Sequence, residues 1–175
     1  KDIDRSAPIA FKNTQAGIGE RAVVKAGGNV TVFASDSTLA ILAAGAGAGG
    51  GAAGVAGTLG VVLLHDSAEA FIASNAKVDA GKTLSVAAVT GENVFNVGIT
   101  GAGAGAAAVN GSIVVNVVSS DTSAHIGAAN INKDVAMDAA NTGQSVAVTA
   151  DSSSNIITVA GSGGGAGAAA VGGVL

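Results

Sequence analysis

Apolar residues recur at every second position over short runs. Val30, Val32 and Ala34 alternate with Asn29, Thr31 and Phe33. Leu84, Val86 and Ala88 alternate with Thr83, Ser85 and Ala87, and Val146, Val148 and Ala150 with Ser145, Ala147 and Thr149. A period of two marks a strand with one buried face. Val, Ile and Thr suit strands, and polar clusters separate the runs. The clusters at Asp36-Ser37, His65-Asp66-Ser67, Gly91-Glu92-Asn93, Ser120-Asp121 and Asp151-Ser152 read as turns.

The same pattern repeats along the chain. Residues 47–57 (GAGGGAAGVAG) lie over 101–111 (GAGAGAAAVNG) with 8 of 11 positions identical. Ala16 and Ile18, Ala70 and Ile72, and Ala124 and Ile126 share the same 54-residue step. The next step is 62, because residues 101–109 reappear at 163–171 with 8 of 9 identical. The approximate repeats are 14–67, 68–121 and 122–175, with an insertion near 128–145. Repeats of this kind read as stacked units that bury their apolar edges only against neighbours.

Three stretches, 37–65, 93–120 and 152–175, carry no Asp, Glu, Lys or Arg. Each pairs an apolar strand pattern with a Gly/Ala tract. Their length would suit transmembrane helices. Each tract, however, holds five or more Gly, at roughly 1 kcal/mol apiece against Ala in a helix. The flanks alternate at period two, with no aromatic belt and no one-sided Lys/Arg excess. A membrane-inserted Gly/Ala-rich protein is therefore the least favoured reading, and no membrane-spanning segment is expected. The favoured fold is all-β, a parallel β-solenoid forming one continuous domain over 1–175. Two windings per repeat, with aliphatic columns through the middle, would accommodate five or six short strands.

Composition sharpens this picture. The chain holds 28 Gly and four Phe, with no Trp, Tyr or Cys, and 11 % charged residues. A core here is large in area and poor in bulk. Low charge with 49 % apolar residues is the reverse of a disordered composition. The net charge is −4 and the eight Lys and Arg are scattered, so no nucleic-acid stripe exists. Without Cys there is neither a disulfide frame nor a thiolate metal site. The chain does not begin with Met and ends in an apolar run, so it reads as a piece of a longer protein.

The run at residues 101–118 (GAGAGAAAVNGSIVVNVV) resembles the repeats of very large secreted adhesins of Gram-negative bacteria. So do Thr122, Ala124, Ile126 and Gly127, and the later Val146, Val148 and Ala150. These are leukotoxin-like exoproteins and haemagglutinin-type autotransporter passengers. The resemblance covers nearly the whole chain from about Thr14. It implies a right-handed parallel β-helix, export across the outer membrane and a place on the cell surface. It brings no catalytic residues.

Candidate chemistry is sparse. His65 aligns with Ser119 and His125 with Phe71, so neither shares a ligating position. Both read as lone, outward-facing histidines. Asp66 and Asp121 could share one edge as paired carboxylates. The other acids spread over turns. The glycines lack the Lys-Ser/Thr of a phosphate loop and no helix signal follows them. Calcium-binding Gly/Asp repeats and regular Thr ranks are also missing. No catalytic, cofactor or metal site is expected, and no cofactor.

The sequence thus predicts a non-enzymatic structural or adhesive stalk, extracellular or on the bacterial surface. Its partners would be a host-cell or surface receptor, or further copies of itself, and not nucleic acid. Asn130, Asn132, Lys133, Asp134 and Asp138 in the insertion form the candidate partner-contact loop. Ala52, Ala104, Ala106 and Ala168 form a candidate lateral packing face. That face suits the alternative role, a self-assembling extracellular fibre or coat subunit packing through Gly/Ala-rich strands.

Overall fold

The computed structural model describes residues 12–133 and 143–175. Among these the protein is all-β, without a helix. The strands are β1 (Lys12–Ile18), β2 (Val23–Ala26), β3 (Val30–Gly50), β4 (Ala53–Ile72) and β5 (Lys77–Ala80). They continue as β6 (Thr83–Ala104), β7 (Ala107–Ile126), β8 (Asn130–Ile131), β9 (Ser145–Ala166) and β10 (Ala169–Val174). Three sheets result, ordered β1-β4-β7-β10, β2-β5-β8 and β3-β6-β9. Each repeat sends one strand to each sheet, so neighbours in a sheet are three strands apart in the chain.

The register follows the sequence repeat. β1 pairs parallel with β4 from Lys12↔Asp66 to Ile18↔Ile72, a step of 54. β2 pairs with β5 at the same step. β10 pairs with β7 at a step of 62, Val171 beside Val109. Two windings per repeat would pair residues about half as far apart, so the repeat is a single winding.

The reason lies in strand length. β3, β4, β6, β7 and β9 run for 20 to 22 residues, against a usual 3–10. The polar clusters read as turns all lie inside these strands. At or beside three of them the hydroxyls bond in a row across the sheets, while Asp36 Oδ2 and Asp66 Oδ2 are buried without a hydrogen-bond partner. Thr90 Oγ1 meets Ser120 Oγ at 2.7 Å, and Ser120 Oγ meets Ser152 Oγ at 3.1 Å. The chain bends instead in the Gly/Ala tracts, at 51–52, 105–106 and 167–168.

The insertion is narrower than the sequence suggests. One residue is lost before β8, where Lys77 pairs with Asn130 and Val78 with Ile131. Arg21 (φ 57°) and Asn75 (φ 63°) hold left-handed positions at equivalent turns of the first two repeats. The shortened third turn dispenses with that residue. Thr83 then meets Ser145, 62 residues on, at 3.0 Å between hydroxyls. All the added residues therefore lie between β8 and β9.

The chain divides into two compact units. The first comprises Lys1–Ser37, His65–Gly91 and Ser120–Ser153; the second comprises Thr38–Leu64, Glu92–Ser119 and Ser154–Leu175. The first unit matches the expected polarity in β3 and β6, whereas Val146, Val148 and Ala150 of β9 are exposed. Ile72, Val78, Leu84 and Val86 are fully buried among Ala68, Ala70, Ala76, Ala80 and Ala88. Ile18 and Ile126 pack against this cluster from the neighbouring repeats. The Ile18–Ile72–Ile126 column therefore exists.

Ile72 is the largest of these buried side chains. Ile72→Ala should destabilise the protein by about 2–5 kcal/mol, the usual cost of truncating a core aliphatic. Urea denaturation followed by circular dichroism measures it.

Candidate functional site

Chemistry needs polar groups brought together, and the structure brings few. Asp66 is buried, facing inward, whereas Asp121 is exposed on the outer side. Successive strand residues alternate faces, so the paired-carboxylate arrangement does not form. Asp36, Asp79 and Glu92 are also buried rather than spread over surface turns. Among the described residues no three of His, Cys, Asp and Glu are placed to hold a metal ion.

The histidines are not lone. His65 Nε2 lies 3.6 Å from Asp121 Oδ2. His125 stacks on Phe71, ring centroids 5.9 Å apart, and its Nδ1 is 3.9 Å from Glu69 Oε1. Gln15 Nε2 donates to Glu69 Oε2 at 2.7 Å. Gln15, Glu69, Phe71 and His125 line a shallow surface hollow. Gln15–Glu69 and Phe71–His125 join equivalent positions of neighbouring strands, while His65–Asp121 and Glu69–His125 reach two residues further along the paired strand; all four link one repeat to the next.

The candidate contact loop divides. Asn130 is exposed in β8. Asn132 Oδ1 accepts from Ala80 N at 2.8 Å, and Lys133 N donates to Asp79 Oδ1 at 2.9 Å. These two bonds prolong the strand ladder after β8 stops. Asp134 and Asp138 lie outside the described residues. The four packing alanines do not form one sheet face. Ala52, Ala106 and Ala168 sit in the tight bends, stacked by Ala106 N→Ala52 O (3.2 Å) and Ala168 N→Ala106 O (3.1 Å). Ala104 is the half-buried last residue of β6.

The most distinctive surface belongs to the second unit, where polarity is inverted. The expected columns of large aliphatics run outside, not through the middle. Leu39 and Ile41 of β3 are each 68 % exposed, and Leu59 and Leu63 of β4 are 67 % and 74 % exposed. Phe95, Ile99, Ile113, Val115, Val117, Ile157 and Val159 are exposed as well. Between the sheets lie Glu92, Asn96, Thr100, Asn110 and Ser112, all buried, with Val62, Val94, Ala102 and Ala108.

Hydrogen bonds make this interior tolerable. Asn96 Nδ2 donates to Asn116 Oδ1 at 2.7 Å, and Asn116 Nδ2 to Thr158 Oγ1 at 2.6 Å. Thr58 bonds Thr100 and also donates to Ser112 Oγ at 3.2 Å. Asn110 Nδ2 reaches Gly163 O at 2.7 Å, and Ser154 Oγ reaches Glu92 Oε2 at 2.7 Å. Most of these bonds cross from one sheet to the other. The layers approach closely: a Cβ on Gly98 would lie 2.6 Å from Ser112 Oγ and 2.7 Å from Val114 Cγ2. Satisfaction is incomplete, since Glu92 Oε1, Asn96 Oδ1 and Asn110 Oδ1 are buried without a hydrogen-bond partner.

Comparison with protein-family models, characterised proteins and solved structures finds no match to this chain.

Asn116 is the hub of the cross-sheet network. Asn116→Ala leaves the buried Asn96 amide without its partner and should cost about 1–3 kcal/mol, the penalty for a stranded buried polar group. The readout is the midpoint of urea denaturation against the wild-type chain.

Proposed function

We propose that this chain is a segment of a right-handed parallel β-solenoid serving as the stalk of a large filamentous adhesin, outside the cell and without enzymatic activity. One observation carries the reading. Strands of successive repeats pair in parallel at the repeat step, as at Ile18↔Ile72, so each repeat is completed by the next. Such an assembly is stabilised by its neighbours and lengthens by adding repeats. That is the mechanical requirement of a stalk. The resemblance of residues 101–118 to adhesin repeats supplies the biological setting.

The polar residues support the same reading. Asn96, Asn116, Thr158, Thr90, Ser120 and Ser152 are committed to bonds within the structure. A receptor is engaged by other parts of the assembled protein or by the enlarged edge beside Asn130.

Antibodies raised against the purified chain should label intact, unpermeabilised source cells, and external protease should remove the label. Labelling that appears only after the cells are lysed overturns the surface role.

A further inference from the structure

The second unit presents a surface that its own fold does not explain. Its β3-β6-β9 sheet contributes residues 39–50, 93–104 and 155–166, and no charged residue occurs among them. Three strands at roughly 4.8 Å, each twelve residues long at roughly 3.3 Å, give a face of about 550 Å². Ile41, Phe95 and Ile157 occupy equivalent positions on the three strands, and all three are exposed. Leu39, Ile99 and Val159 extend the same face. Monomeric proteins rarely leave a contiguous apolar patch above a few hundred Å² uncovered.

Three media can meet this face. Water is the costly one, at roughly 25 cal/mol per Å² of apolar surface. Hydrocarbon would suit the aliphatic groups but not Asn93 and Asn155, exposed on the same side as Phe95 and Ile157, because an amide taken into hydrocarbon loses its hydrogen bonds to water. A second copy covers the aliphatic groups and leaves those amides at the rim in water. Two such faces remove about 1,100 Å² together, which meets the roughly 1,000 Å² of a specific interface. With no charge on the face, two copies meet without repulsion. The row also varies in size, with Ala43 and Gly45 following Leu39 and Ile41 along β3. Large groups of one sheet thereby find recesses on its mate.

We infer that a second copy of this chain docks on the outer face of β3-β6-β9, centred on Ile41, Phe95 and Ile157. The contact is sheet against sheet. It is not made through the Gly/Ala bends. The opposite sheet is apolar too, through Leu59, Leu63, Val115 and Val117, so association can continue beyond a pair. The inference stands apart from the cellular role proposed above.

Sedimentation of the whole chain over a concentration series tests it, beside F95E, I99K and A106E. The wild-type chain should form species larger than its 16.2 kDa monomer. F95E and I99K, both on the face, should weaken self-association at least about tenfold, as loss of a central interface contact does. A106E charges a bend and should leave association unchanged. Far-UV circular dichroism checks that each variant keeps its β spectrum, and I99K is read where F95E does not fold. A wild-type chain that stays at 16.2 kDa throughout overturns the inference. So does dispersal by A106E but by neither face variant. Association that gives way to co-flotation with phosphatidylcholine vesicles overturns it in favour of hydrocarbon.

Discussion

Parallel main-chain pairing at the repeat step is the constraint on which the structure rests. A parallel ladder joins a residue to its counterpart one winding away, and here that counterpart is usually its sequence equivalent. Ile18 meets Ile72, and Val109 meets Val171. Like therefore stacks on like in the aliphatic columns, although Gln15 meets Glu69 and Gly17 meets Phe71 elsewhere in β1. Aliphatic columns cost nothing under this rule, whereas stacked like charges would repel. Charge is accordingly sparse, and the second unit has one charged side chain, Glu92, buried and bonded to Ser154. The ladder even passes through the bends, where Gly105 N donates to Gly50 O at 3.1 Å and Ala107 N to Ala52 O at 3.0 Å. Gly and Ala suit those bends because backbone meets backbone there.

Strand continuity then dictates polarity. An unbroken strand keeps its even residues on one side and its odd residues on the other. In β3 the first apolar set, Val30, Val32 and Ala34, is even; the second, Leu39, Ile41 and Ala43, is odd. One set must face out. β4 and β7 show the same switch in reverse, from Leu59 and Leu63 to Ala68 and Ala70, and from Val115 and Val117 to Ala124 and Ile126. The inward side of the second unit is shared by Asn, Thr and Ser, which bond across the gap, with Val62, Val94, Ala102 and Ala108. A bulge would have restored the phase by shifting one residue. None occurs in the described strands, where burial keeps alternating through the switch, and Glu92 there accepts from Ser154, its equivalent in the next repeat.

This arrangement separates structural from interactive residues. In the second unit Asn96, Asn116 and Thr58 hold strands and sheets together through their side chains. The aliphatic groups that usually build a core are displayed. In the docking inferred above, recognition runs on apolar area and shape rather than on charge.

The repeat, its steps of 54 and 62, the β class and the Ile18–Ile72–Ile126 column were legible in the order of residues, because parallel stacking aligns equivalents and preserves self-similarity. The place of the enlargement was legible only to within its neighbourhood, since the lost residue before β8 disguised its size. The turns were misread, because polar clusters such as Ser120-Asp121 resemble turns by composition while Gly/Ala tracts resemble featureless strand. The change from even to odd apolar positions was present in the sequence. Its meaning depended on whether Asp36-Ser37 turned the chain or continued the strand. Local propensity does not decide that point. It is decided by partners distant in sequence, such as the hydroxyl row Thr90–Ser120–Ser152, which exists only once the sheets have come together.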